Sequence, residues 1–308
     1  MNILNIYDIV IYHQGCTDGI SGLWCANKYY NENNIKYNIM CMPAGKDPIG
    51  NFVNKSVLFI DVSPSFNFII NNYSTVNKIT ILDHHQTTLD MYSNNQESID
   101  TLTNVTFILD MKLSGCQIAW DYFYNGISRP WFIEYVADRD LWTWKLNNSR
   151  EISAAMHHKR CINSSNLLEI DKLLNYCDED ITNLADIGKV ILDIQSQTLQ
   201  CQLKHSCSGT FTVNKVKYNV MFGTINRDMR SEFGNLLAAK LMPDGSLPDF
   251  GLVWIYNPIF DVWYFSLRGL VNCPDLSVIT GYFNGGGHPK AAGFEYKTNP
   301  FGDIFLIN

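Results

Sequence analysis

The chain has 308 residues, 46% of them hydrophobic and 17% charged, enough apolar material for two packed domains at roughly 100–200 residues each. Its formal net charge of −7 argues against a broadly basic surface that coats nucleic acid, while leaving room for a local basic pocket. Nine cysteines, an odd number with no CxxC pair, read as reduced thiols in a cytoplasmic setting rather than as a disulfide framework.

Taken in order, MNILNIYDIVIYH lacks the basic start and small-residue cleavage site of a signal peptide, and no apolar run approaches the ~20 residues of a membrane span. Residues 7–12 (YDIVIY) predict a buried strand, followed by the polar turn HQGCTDG and a helix through SGLWCANKYYNEN. SVLFI at 56–60 predicts a second strand ending at Asp61, and KITIL at 78–82 a third ending at Asp83-His84-His85. FILD at 107–110 predicts a fourth, before a helix from SGCQIAWDYFY. Strands alternating with helices, with polar residues at strand ends, indicate an open, mostly parallel α/β sheet whose ligands sit beyond the carboxyl ends of the strands.

From about 165 to 205 the pattern is helical, a connector in which His157-His158-Lys159-Arg160 forms a solvated polar turn just upstream. Thereafter FTVNKVKYNVMFG, FGLVWIYN and VWYFSLRG are β-rich, giving a smaller mixed α/β domain. The expected division is 1–165, 166–205 and 206–308.

Four polar turns carry candidate chemistry: His13 with Asp18, then Asp61, then Asp83-His84-His85, then Asp138 and Asp140 in YVADRDLW. Asp18 and Asp61 also suit turns or helix caps, and Asp138 or Asp140 can pair with Arg139. Two adjacent histidines and an aspartate at a strand end serve no packing purpose. Carboxylate oxygens with imidazole nitrogens suit Mn²⁺, Mg²⁺ or Co²⁺, and a shared carboxylate can bridge two ions for phosphoryl displacement. Later in the chain, Gly285-Gly286-Gly287-His288 opens backbone amides to an anion, and Lys290-Ala-Ala-Gly predicts a helix whose start would favour that anion. Arg268 offers a planar fork for phosphate, with Asn226 and Arg227 in the same cleft.

In this order, HQGCTDG, the aspartate of FIDVS, ILDHHQT and VADRDLW resemble the four motifs of the DHH family of phosphoesterases. INRDMRSEFGNLLA, FSLRG and GGGHPKAAGF are similar to the DHH-associated C-terminal domain. The texture is that of oligoribonuclease-like and cyclic-nucleotide-type phosphodiesterases. The resemblance implies two divalent ions, with Asp61 as bridging carboxylate, Asp18, His84 and Asp138 around one ion, and His13 on the other. It implies His85, with Asp83, near the leaving oxygen, and a nucleotide phosphate on Arg268, Gly286, Gly287 and His288. Where many members carry Asp-x-Asp in the first motif, this chain has Cys16-Thr17-Asp18, so one ion's shell is completed by water, Cys16 or substrate. Asp138 fits the family position, and Asp140 remains its competitor. The expected substrate is a short nucleic acid or a nucleotide, handled away from any membrane by a monomer or homodimer. A second reading is a nucleotide-binding regulatory protein whose site has decayed.

Overall fold

The fold was taken from a computed structural model, which describes residues 6–307, with side chains described to residue 304. The expectations resting on the first five residues and on Asn308 lie outside the described residues. Two compact units divide the chain, Met1–Leu192 and Asp193–Asn308.

In the first unit, β1 (Ile9–His13), β3 (Ser56–Ile60) and β4 (Lys78–Asp83) are rich in apolar residues and buried along almost their whole length, as strands covered on both faces are. They pair in parallel, with β2 (Asn38–Met42) added beside β1 and β5 (Val105–Leu109) beside β4. The strand order is β2-β1-β3-β4-β5. Side chains alternate between faces along each strand. Val10, Tyr12, Leu58, Ile60 and Leu82 enter one core, and Ile9, Ile11, Val57, Phe59, Ile79 and Ile81 the other.

The first core is closed by α1 (Thr17–Glu32) and, further along the chain, by helices that follow β5. The second is closed in part by α2 (Phe66–Asn72), before α3 (Gln86–Asn94) and α4 (Gln96–Ile99) lead into β5. After β5 come α5 (Gly115–Phe123), α6 (Trp131–Asp140), α7 (Ser149–His158) and α8 (Leu168–Asp171). Trp24 of α1 anchors this layer: it stacks on Trp120 at 5.9 Å, meets Phe132 edge-on at 5.0 Å, and donates its indole N–H to Asp171 at 2.8 Å. The His157-His158 pair is the last turn of α7, not a connector turn.

The division between units falls within α9 (Asp178–Lys204), the long helix that the sequence predicted here. Among the described residues no helix is long and apolar enough to cross a membrane.

In the second unit, β6 (Cys207–Val213), β7 (Val216–Gly223), α10 (Arg230–Ala239), β8 (Phe250–Asn257) and β9 (Val262–Arg268) are followed by α11 (Leu276–Gly281), β10 (Gly286–His288), β11 (Ala291–Tyr296) and β12 (Phe305–Ile307). The sheet runs β10-β11-β9-β8-β7-β6-β12, antiparallel except for the parallel β7–β8 pair. Phe233 and Leu237 of α10 pack on one face with Val253 and Met221; Leu276 and Ile279 of α11 pack on the other with Phe265, Leu267 and Phe294.

One expectation fails here. The Lys290-Ala-Ala-Gly run starts a strand, not a helix: β10 and β11 form a hairpin turned at Pro289-Lys290, with Gly287 at φ 139°. A side chain at Gly287 would strike the backbone of Ala291 and Ala292, so the glycine serves close strand contact as well as backbone conformation. The anion-attracting helix start expected beside His288 is therefore absent.

Candidate metal centre

A strand order of 2-1-3-4-5 reverses its direction of winding between β1 and β3, and it is at such a point that an open α/β sheet leaves a crevice. His13 is the last residue of β1, and Asp61 follows β3 directly. Asp61 has a left-handed backbone, φ 60°, a conformation aspartate tolerates better than most residues. Its carboxylate meets His13 Nδ1 at 3.2 Å through Oδ2 and His84 Nε2 at 3.2 Å through Oδ1. It is 1% exposed.

Asp18 enters from the first turn of α1 and lies against the start of α5. Ser114 Oγ donates to it at 2.8 Å, Gly115 N at 2.6 Å and Cys116 N at 3.0 Å. Ser114 also forms a capping box with Gln117, so one hydroxyl-bearing turn begins the helix and grips the carboxylate. Gly115 is obligatory: a Cβ there would lie 2.5 Å from Asp61 Cβ and 3.0 Å from Asp18 Oδ2.

The Asp83-His84-His85 sequence divides its labour. His84 turns inward, 3.2 Å from Asp61, 3.7 Å from Asp18 and 3.4 Å from Asp140. Asp83 turns back: its Oδ1 accepts from His85 Nδ1 at 2.7 Å and from the His84 backbone at 2.8 Å, while Thr88 donates to Oδ2 at 2.5 Å. Asp83 thus orients His85 and does not join the cluster.

Two sets of side chains could each surround a cation, His13–Asp61–His85 and Asp18–Asp61–His84, with their ligand atoms within 4.8 Å of one another. A six-coordinate ion with bonds of roughly 2.1–2.3 Å separates its ligands by roughly 3–4.5 Å, so both sets fit one. Their mixture of carboxylate and imidazole suits Mn²⁺, Mg²⁺ or Co²⁺. Asp61 is common to both.

The electrostatics are those of crowded carboxylates. Burial, then Asp61, raise the Asp18 carboxyl above its ordinary value despite its three donors. Burial, then Asp18 and Asp61, lift Asp140 to about 7. Burial disfavours a charged His84, but its hydrogen bond to Asp61 and the nearby Asp18 and Asp140 outweigh it and carry the ring to about 9. His85 is likewise opposed by burial and lifted to about 10 by Asp83 and Asp61. Asp61 itself is held well below the carboxylate range, because its histidine partners outweigh the cost of burying it. Without cations the histidines hold protons that cations would displace.

Asp138 and Asp140, both in the last turn of α6, have separate tasks. Asp138 accepts hydrogen bonds from Thr143 Oγ1, from Lys145 N at 2.9 Å and from Leu146 N at 3.1 Å. Committed to that loop, it is not the residue facing His84; Asp140 is. The loop it holds is costly: Trp142 and Trp144 both adopt left-handed backbones, φ 56° and 52°, at about 1–3 kcal/mol each. The Trp144 indole N–H is buried without an acceptor. Cys16 caps the start of α1, and burial together with Asp61, Asp140 and Asp18 keeps its thiol protonated.

Sequence reasoning missed Asp140's place, the grip of Ser114 to Cys116 on Asp18, and the need for Gly115. The available signal was S-x-x-Q at 114–117 opening a helix, and a pair of aspartates placed just before a tryptophan-rich loop.

In the second unit, His288 pairs with Ala291 and Ala291 with Arg268, a single row across the sheet; Gly287, Ala292 and Leu267 form the next, and Gly286, Gly293 and Ser266 the one after. Arg268 is half-buried, and desolvation followed by Arg230 lowers it to about 10. It donates to Leu267 O at 2.8 Å and to Ser231 Oγ at 2.7 Å. From Ser266 a cleft of about 190 Å³ runs past Tyr264, Arg230 and Arg227, and a larger one of about 470 Å³, with Asn226, Gln202 and Thr224, shares Arg227 and Tyr256. Trp254 and Trp263 pack on each other at 5.2 Å and on Phe301, and so belong largely to the core.

No protein-family model matches the chain. The uncharacterized protein R106 of Acanthamoeba polyphaga mimivirus is 27% identical over 303 residues, covering 94% of this chain and 68% of that protein. Among solved structures, the pGpG-specific phosphodiesterase PggH of Vibrio cholerae aligns with a TM-score of 0.48 at 13% identity, over 94% of this chain and 93% of PggH. RecJ of Thermus thermophilus, solved with Mn²⁺, aligns with a TM-score of 0.45 at 10% identity, over 94% of this chain and 49% of RecJ.

Proposed function

We propose that the chain is a phosphodiesterase dependent on two divalent cations, Mn²⁺ or its neighbours Mg²⁺ and Co²⁺, acting on short oligonucleotides or small cyclic or bisphosphorylated nucleotides. One observation carries the reading: two cation-sized sets of ligands, His13–Asp61–His85 and Asp18–Asp61–His84, meet on one buried carboxylate at the switch point of the sheet. The motif resemblance supports the same chemistry from the sequence side.

Bound cations would supply Lewis-acid polarisation of a phosphoryl oxygen and acidify a water. The chain's own residues do the rest. Asp61 holds His13 and His84 in register; Ser114, Gly115 and Cys116 fix Asp18; and Asp83 holds the His85 ring through Nδ1, leaving its other nitrogen for ligation or proton transfer. In the second unit, Arg227, Arg230 and Tyr264 line a cleft of a size and charge suited to a nucleotide's phosphate and sugar, near the Arg268–His288 row. A net charge of −7 favours short substrates, since a long polyanion needs an extended basic track.

A panel of dinucleotides, cyclic nucleotides and 3′,5′-bisphosphates, assayed with Mn²⁺, Mg²⁺ and Co²⁺ and after chelation, tests the proposal. Cation-dependent release of mononucleotide is the expected result. Tight nucleotide binding without product under every metal would sink it.

A further inference from the structure

The loop that follows α6 carries a feature the cation cluster does not use. Trp142 is 40% exposed, although a tryptophan gains most from burial. It lies edge-on to Trp144, ring centres 4.9 Å apart, and the Arg150 guanidinium sits 4.5 Å over the Trp144 ring. Three donors on Asp138 clamp the turn beneath. An exposed ring, a left-handed backbone under it and a layered support behind it oppose both burial and backbone preference. A merely structural loop has no need of that combination.

Position gives the combination a use. Trp142 follows Asp140 by two residues, so their Cα atoms are within about 7 Å of one another. Asp140 Oδ2 is itself 3.4 Å from His84 Nε2. A planar apolar ring is thus tethered at the margin of a centre built for phosphoesters. We propose that Trp142 is a stacking surface for a nucleobase of the substrate, making the substrate a nucleoside-bearing ester rather than a bare polyphosphate or pyrophosphate. This rests on the phosphoesterase reading of the adjoining cluster. Stacking uses the face of the base, which all bases share, so Trp142 sets the class of substrate and not its sequence.

The test compares wild type, W142F and W142A on a dinucleotide and on the abasic dinucleotide with the same phosphodiester, in Mn²⁺. In W142A the kcat/KM ratio of dinucleotide to abasic ester should fall on the order of tenfold or more, chiefly through KM, and W142F should restore most of it. In parallel, AMP should quench tryptophan fluorescence in the wild type, and W142F should lose much of that quench. An unchanged ratio in W142A, or an unchanged quench in W142F, overturns the proposal. Should the wild type cleave neither ester, the phosphoesterase reading fails by itself, and the AMP titration, which needs no turnover and a folded W142F only, still decides the role of Trp142.

Discussion

His13 Nδ1 and Asp61 Oδ2 lie 3.2 Å apart, joining the carboxyl ends of β1 and β3, the two neighbouring strands between which the sheet changes its direction of winding. Asp61 also reaches His84, so one carboxylate ties three strand ends together.

Asp61→Asn is expected to abolish tight binding of Mn²⁺ at both sets, measured by calorimetry, and to reduce turnover on the order of a hundredfold or more. In chelated protein the same change leaves the buried, protonated His84 without the anion it is hydrogen-bonded to. Thermal unfolding should then show a loss of about 3–5 kcal/mol. Retention of two tightly bound cations by the variant would contradict Asp61 as the common ligand.

Asp83 acts through His85. In Asp83→Asn the amide cannot accept as the carboxylate does at His85 Nδ1, and the ring loses its fixed tautomer. Cation affinity should weaken by about 10–100-fold, with a shifted pH profile of kcat, while the change at Thr88 alone (Thr88→Val) moves stability more than the pH profile. Matching pH profiles for Asp83→Asn and wild type would remove the positioning role.

Asp138 and Asp140 should separate cleanly. Asp138→Asn deprives the Trp142–Leu146 loop of charge-assisted hydrogen bonds and should cost about 1–3 kcal/mol by denaturant unfolding, with or without cations. Asp140→Asn relieves repulsion among Asp18, Asp61 and Asp140, so the chelated protein should gain stability even as cation affinity falls. If the two variants change places in these assays, the division of labour is reversed.

For chelated protein the pH dependence has a definite sign. The folded state holds protons on His84 to about 9 and on His85 to about 10, whereas an unfolded histidine releases its proton near 6.5. Their contribution is therefore complete below about 6.5 and lost as pH rises through 9 and 10. Asp140, lifted to about 7, acts in the same direction between roughly pH 4 and 7. Saturating Mn²⁺ should flatten this decline, because bound cations and these protons compete. Unfolding midpoints across pH 6–10, with and without Mn²⁺, provide the measurement.

How legible was this in the sequence? The α/β class and the central strands were plain, because SVLFI and KITIL are apolar on both faces apart from Ser56, Lys78 and Thr80. The edge strand β2 was not seen: NIMCM pairs only with β1 and stays largely exposed, so its composition carries little of the strand pattern. The glycine-rich segment misled, since glycines that open a helix and glycines that let two strands approach look alike until pairing is known. Within the site, the strand-end residues stood out because polar groups interrupt apolar runs. Asp138 and Asp140 could not be ranked, as two carboxylates two residues apart on a helix leave it on different sides, and only what lies opposite each tells them apart. The left-handed tryptophans left no trace in the sequence at all.

The absence of a single methyl group at position 115 is what permits two negatively charged side chains to share one wall. Any residue with a β-carbon there must push Asp18 and Asp61 apart or unseat the helix that begins between them. Mutational drift at this position has nowhere to go, and a library randomised at codon 115 and selected for cation binding should return glycine alone.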